Sequence, residues 1–239
     1  KLNSFHIYLI FFLFIWELIS CFGVYYYMKT NRKGNKTMNL LTQNSKLKKT
    51  SKHFNKRVFN FGIPAYKSKS GKITCPFADE CIKFCYARKG AYIWGNVSPA
   101  FEKRYELSKT VEFVELINDE IRSKKVDYVR VHDSGDYYSK EYLDKWFLIA
   151  KLNPTVRFYS YTNNVKMIKE LKDIPKNYDF IFSDSGKQKD LIEKKTDRHT
   201  RIFKSVEDLK KAKYVDSSNY DLYATKWYSK SNNIGLVIH

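Results

Sequence analysis

The chain has 239 residues, enough to bury one sizeable core. Its 44 Lys and Arg against 25 Asp and Glu give a formal net charge of +19, a field that favours polyanions such as nucleic acid or an anionic membrane surface. Three of the four cysteines fall within eleven residues, which argues against a dispersed disulfide framework and for thiolate ligation in a reducing compartment.

The run from Phe5 to Tyr27 is apolar and long enough to span a bilayer. Lys29, Arg32, Lys33 and Lys36 follow it and would stay in the cytoplasm. Leu18-Ile19-Ser20-Cys21 also has the look of a lipoprotein cleavage site. The alternative is a spurious upstream extension, with Met28 or Met38 as the natural start. The expected organisation is therefore an apolar segment over 1–28, a basic linker or arm over 29–57 and an α/β domain over 58–239. The expected location is the cytoplasm of a bacterial host, with membrane contact only if residues 5–27 are a true anchor.

Beyond residue 57, strand and helix signals alternate. Val58–Pro64 is a short apolar run. Ser98 and Pro99 open a helix, with Ser98 as N-cap and Pro99 at the first helical position. Val111–Arg122 has helical spacing of Val111, Val114, Ile117 and Ile121. Val126–His132 reads as a strand, and Ser139 caps a helix running to Leu152. Strands at Val156–Tyr161, Tyr178–Phe182, Arg201–Lys204 and Ile234–His239 alternate with helices at Val165–Leu171 and Val206–Lys213. This order predicts parallel βαβ units in an α/β fold, a partial (β/α) barrel of five or six mainly parallel strands. No glycine-rich dinucleotide fingerprint follows the first strand, which counts against a nicotinamide enzyme.

Cys75-Pro-Phe-Ala-Asp-Glu-Cys81-Ile-Lys-Phe-Cys85 places three thiols on one loop. Such a set can hold one face of an iron–sulfur cluster, [4Fe-4S] being the expected form, and leave one iron open. Zinc is the alternative, with His132 or His199 as a fourth ligand. Lys83 and Arg88 would favour the thiolate forms. Two further segments echo each other: Val131-His132-Asp133-Ser134-Gly135-Asp136 and Phe182-Ser183-Asp184-Ser185-Gly186 each end an apolar strand in Asp-Ser-Gly. Carboxyl ends of parallel strands build active sites, so both turns should face one cavity. His132, Asp133, Asp136 and Asp184 are the expected catalytic residues, His132 as a base or ligand and the carboxylates as partners for a cation or metal. Asp133 or Ser134 capping the next helix, with Gly135 at positive φ, is the plainer reading. Tyr161 and Asn163, after the third strand, would bind ribose or a carboxylate. Arg130 and Arg157 lie mid-strand and need partners if buried.

Three cysteines after a first strand, with Phe84 directly before the third, resemble the loop of radical SAM enzymes. The spacing departs from that family's usual C-x3-C-x2-C, being longer in both gaps. The resemblance implies S-adenosylmethionine as a cofactor. It also implies that Phe84, Ser134 and Gly135 lie against the cofactor, with Asp133 and Asp136 near its ammonium group. A second resemblance covers residues 38–239. Asn39-Leu-Leu-Thr-Gln-Asn-Ser-Lys-Leu, Phe61-Gly-Ile-Pro-Ala, Thr74-Cys-Pro, Cys85-Tyr-Ala-Arg-Lys-Gly, the His132 block and Ile234-Gly-Leu-Val-Ile-His together resemble the phage gene-product-88 family. That resemblance implies a phage or prophage origin and no particular reaction. A binding module for nucleic acid in phage DNA metabolism, built around the basic stretch Lys46–Arg57, is the competing expectation.

Overall fold

The computed structural model describes residues 39–237; the apolar segment 1–28 and the first part of the basic arm lie outside the described residues. Seven strands, all parallel, form one curled sheet: β1 (Val58–Phe61), β2 (Tyr128–Val131), β3 (Arg157–Thr162), β4 (Tyr178–Ser183), β5 (His199–Phe203), β6 (Val215–Asp216) and β7 (Asn233–Val237). Their spatial order is β1-β2-β3-β4-β5-β7-β6. From β1 to β5 each strand lies beside its predecessor, so right-handed crossovers place every connecting helix on one side. That is barrel winding, stopped short of closure, as the sequence predicts. The seventh strand, β6, is two residues long and too short to leave a periodic signal.

A single turn, α2 (Cys81–Phe84), belongs to the cysteine loop at the strand ends, and the other crossover helices cover the outer face: α3 (Ser98–Lys109), α4 (Phe113–Lys124), α5 (Lys140–Leu152), α6 (Val165–Lys169) and α7 (Val206–Lys211). Phe61, Phe113 and Trp146 meet there with ring centroids 5.2–5.4 Å apart and join β1, α4 and α5. Ser139 caps α5 as expected, accepting from the Tyr142 amide at 3.2 Å. Ser98 does not cap α3; it is the helix's first residue and Val97 precedes it without a side-chain cap.

A half-barrel has no opposite wall, so its inner face needs a plug. Residues 45–54, expected to be part of a basic arm, supply it as a helix, α1 (Ser45–Phe54), capped by Asn44. Leu47 packs with Val58, Tyr128, Tyr159, Ile181, Leu222 and Ile234 in one cluster. Only Leu47 and Thr50 of α1 are buried, which is why its apolar periodicity was too thin to announce a helix. Ahead of α1, Thr42 pairs with Asn60 through two backbone hydrogen bonds of 2.7 and 2.8 Å and covers the exposed edge of β1.

The plug is knotted by charge. Asp221 is fully buried. Its carboxylate pairs with Lys46 of α1 at 2.7 Å and with Arg130 of β2 at 3.2 Å, and accepts the Tyr159 hydroxyl at 2.7 Å. Its amide donates to Thr50 Oγ1 at 2.9 Å. Burial alone would raise the pKa of Asp221, but the charges of Arg130 and Lys46 outweigh it and hold the carboxyl at about 2. Arg157, by contrast, opens β3 exposed to solvent, bonds Tyr128 at 2.6 Å and stacks over Trp227. Among the described residues, no helix is long and apolar enough to cross a membrane.

Replacing Asp221 with Ala strands two buried cations, and we expect a loss of about 3–5 kcal/mol in urea denaturation. Because the folded pKa of Asp221 lies below its ordinary value of 3.8, the ionised carboxylate contributes about 2 kcal/mol above pH 4, lost as pH falls from about 4 towards 2. The wild-type unfolding midpoint should therefore drop across that window more steeply than that of the Asp221→Asn variant.

Candidate functional site

One cavity of about 940 Å³ opens at the carboxyl ends of the strands. It falls in the size range of small-molecule sites. Twelve of the residues singled out from the sequence line it: Cys75, Cys81, Cys85 and Phe84 from the loop; His132, Asp133, Ser134, Gly135 and Asp136 from the turn after β2; Tyr161 and Asn163 from the end of β3; and Asp184 from the end of β4. The two Asp-Ser-Gly turns do face the same space. His199 does not line it; its ring bonds the Asp197 carbonyl at 3.0 Å and the Tyr214 hydroxyl at 2.9 Å.

Backbone hydrogen bonds hold the cysteine loop across the strand ends. The Asp136 amide donates to the Thr74 carbonyl at 3.0 Å, which ties the loop to the β2 turn. Lys187 N donates to Phe77 O at 2.9 Å and Cys81 N to Ser185 O at 3.4 Å, and Ala78 bridges Gly186, which ties it to the β4 turn. Tyr66 N donates to Cys75 Sγ at 3.3 Å and Asn163 Nδ2 to Cys81 Sγ at 4.0 Å. Gly186 permits this closeness, because a Cβ there would lie 2.4 Å from Asn163 Oδ1.

The β2 turn is strained and dense. His132 adopts φ +74°, in the left-handed region that non-glycine residues rarely enter. Gly135 has φ +86°, and a Cβ there would sit 2.2 Å from Ile63 Cγ1. His132 is buried with Nε2 2.9 Å from the Tyr142 hydroxyl. Burial, and then the charge of Arg130, push its pKa down to about 3. A ring held neutral in this way is a weak proton acceptor. Asp136 is locked by the Tyr137 amide at 2.8 Å, the Thr162 hydroxyl at 2.7 Å and the Asn163 amide at 2.9 Å. Burial raises its pKa to about 6 despite those bonds. Asp133 Oδ2 accepts the Tyr92 hydroxyl at 3.0 Å, and Tyr86 donates to the Asp133 carbonyl. Asp184 is paired with Lys194 at 3.0 Å.

Four buried atoms of residues lining the cavity have no partner among the described residues: His132 Nδ1, Asp133 Oδ1, Asn163 Oδ1 and Thr200 Oγ1. Each of these atoms is shielded from solvent as well, so none is presented to the open cavity. Cys75 and Cys81 are shifted against the direction that Lys83 and Arg88 suggested. Burial, with Asp136 nearby, pushes Cys75 well up, and burial raises Cys81. Among the described residues, no group of three or more His, Cys, Asp or Glu is arranged to hold a single metal ion.

Sequence reasoning missed Tyr86 and Tyr92, which orient Asp133. It also missed Thr200 and Arg201, the second and third residues of β5, both in the cavity wall. The tyrosines left no signal in a chain with 19 of them.

The model of the gene product 88 family matches residues 31–235. The chain belongs to this family. Membership fits the order of the blocks read from the sequence, and the match starts inside the basic run rather than at Met38. The Gene 88 protein of Mycobacterium phage L5 is 29% identical over 115 residues, covering 43% of this chain and 46% of that protein. The chain thus aligns with about half the length of that curated relative. No solved structure matches.

Replacing Gly135 with Ala combines positive φ with overlap onto Ile63. It should cost about 2–4 kcal/mol in urea denaturation of the full chain. A loss under about 0.5 kcal/mol would show that the turn does not need glycine.

Proposed function

We propose that the cavity holds a four-iron, four-sulfur cluster on Cys75, Cys81 and Cys85, leaving one iron open, and that the protein works as a divergent relative of radical SAM enzymes in the cytoplasm of a bacterial host. The observation that carries this reading is that three thiols from one loop line a strand-end cavity together with the acidic turns after β2 and β4. Thiolate donors are the ones iron–sulfur clusters take, and cytoplasmic redox poise keeps them available. Zinc is the alternative: His199 has both ring nitrogens bonded, to the Asp197 carbonyl and the Tyr214 hydroxyl, whereas His132 keeps Nδ1 without a partner.

A cluster with an open iron supplies reductive one-electron chemistry to a bound sulfonium cofactor. This chain's own residues would do the rest. The Asp133 carboxylate, whose residue lines the cavity, would pair with the ammonium of S-adenosylmethionine. Ser134, Gly135, Tyr161 and Asn163 belong to the same wall lining. Phe84, half-exposed at the rim, would shield the thiolates from water. Asp136 and Asp184 would set the charge around the bound cofactor, and His132 would hold the turn.

The raised thiol pKa values have a consequence for assembly: ligation must displace protons. Anaerobically reconstituted protein should be brown, with about four iron and four sulfide per chain. Each of Cys75→Ala, Cys81→Ala and Cys85→Ala should lose most of both while keeping the far-ultraviolet circular dichroism of the parent. A colourless protein with stoichiometric zinc would overturn the reading.

A further inference from the structure

The mouth of the cavity combines two kinds of surface. On the loop side Phe84 (43% exposed) and Tyr86 (54%) line the cavity, while Ile93 (64%) lines a neighbouring depression and Trp94 (61%) follows it in the chain. A second depression of about 360 Å³ lies beside the cavity, shares Arg88 and Ser134 with it and carries Ile93. On the β5 side stand Arg201 and Lys204, both exposed and lining the cavity. Neither has a carboxylate partner among the described residues, whereas Lys189 and Lys194 at the same rim are paired with Glu80 and Asp184. Below Arg201, the buried Thr200 hydroxyl is unsatisfied.

From this juxtaposition we infer that the mouth binds single-stranded nucleic acid, bases stacked on the Trp94 side and phosphates on Arg88, Arg201 and Lys204, with one nucleotide entering the cavity. The inference rests on the cavity being the working site, whichever metal it holds. Exposed aromatic rings interleaved with unpaired cations form the stacking platform and electrostatic funnel that single strands use. A duplex keeps its bases stacked internally and cannot offer them to Trp94 or pass one into the cavity. The net charge of +19 adds long-range attraction to any nucleic acid; it does not by itself select the mouth, and the rim residues do.

The test is fluorescence anisotropy of fluorescein-labelled twelve-nucleotide DNA and RNA single strands and of the matching DNA duplex. It uses the full chain as purified, with iron measured on the same sample. We expect at least one single strand to bind about tenfold or more tighter than the duplex, with affinity falling as salt rises. Trp94→Ala should weaken binding about tenfold, and Trp94→Phe should restore most of it. Arg201→Glu with Lys204→Glu should weaken it by tenfold or more, whereas Lys151→Glu, at the far end of α5 from the cavity, should leave it within about twofold. Equal affinity for duplex, equal losses from Lys151→Glu, or no binding of either single strand would overturn the inference. Iron retained with strand binding absent defeats this inference alone. Strand binding intact on iron-free, zinc-loaded protein defeats the cluster alone.

Discussion

Asp221 bears two cations, a phenol and a helix on one buried carboxylate, and the half-barrel is organised around it. An open arc of parallel strands leaves its inner face uncovered. Here α1 covers that face, and Lys46, Thr50, Arg130 and Tyr159 fasten it through Asp221. A buried pair of this kind is strongly coupled: it is held together by exact partnership rather than by net gain over an apolar plug. Arg130 also extends the network upward. Its Nε donates to the His132 carbonyl at 3.3 Å and its Nη2 to the Tyr86 hydroxyl at 3.4 Å. The floor of the cavity is therefore continuous with the fastening of the plug.

Above that floor, the cysteine loop is placed by main-chain bonds to two strand ends rather than by its own packing. Thr74 is tied to Asp136, and Phe77 and Cys81 to the Ser185–Lys187 turn. Few of the loop's side chains are buried. Its position is thus borrowed from β2 and β4, and the same turns supply the acidic residues facing the thiols. The strained φ of His132 and the close fit of Gly135 and Gly186 are the local costs of bringing these turns together.

The alternating strand and helix signals made the outer crossover helices and six of the strands legible, because buried parallel strands and amphipathic helices write strong periodic patterns. The cavity residues were legible for a topological reason: Asp133 and Asp184 end apolar strands, and strand ends converge in this fold. What was hidden is what lacks a pattern. The inner face of α1 presents Lys46 and Thr50, so its helix looked like a basic arm. Asp221 sits in a tyrosine-rich stretch with nothing local to mark it as the hub. Tyr86 and Tyr92 act by orientation, which spacing does not encode. The effect of Lys83 and Arg88 on Cys75 and Cys81 was misjudged because burial outweighs nearby surface charge.

The central claim is that three thiols from one loop hold one cluster with an open iron beside Asp133. Electron paramagnetic resonance of the dithionite-reduced protein, recorded with and without S-adenosylmethionine, tests it most directly. The account predicts a signal from a single reduced four-iron cluster whose shape changes when S-adenosylmethionine is added, and no such change in the Asp133→Ala variant. A protein with no cluster signal, or with one that S-adenosylmethionine leaves untouched, would contradict it.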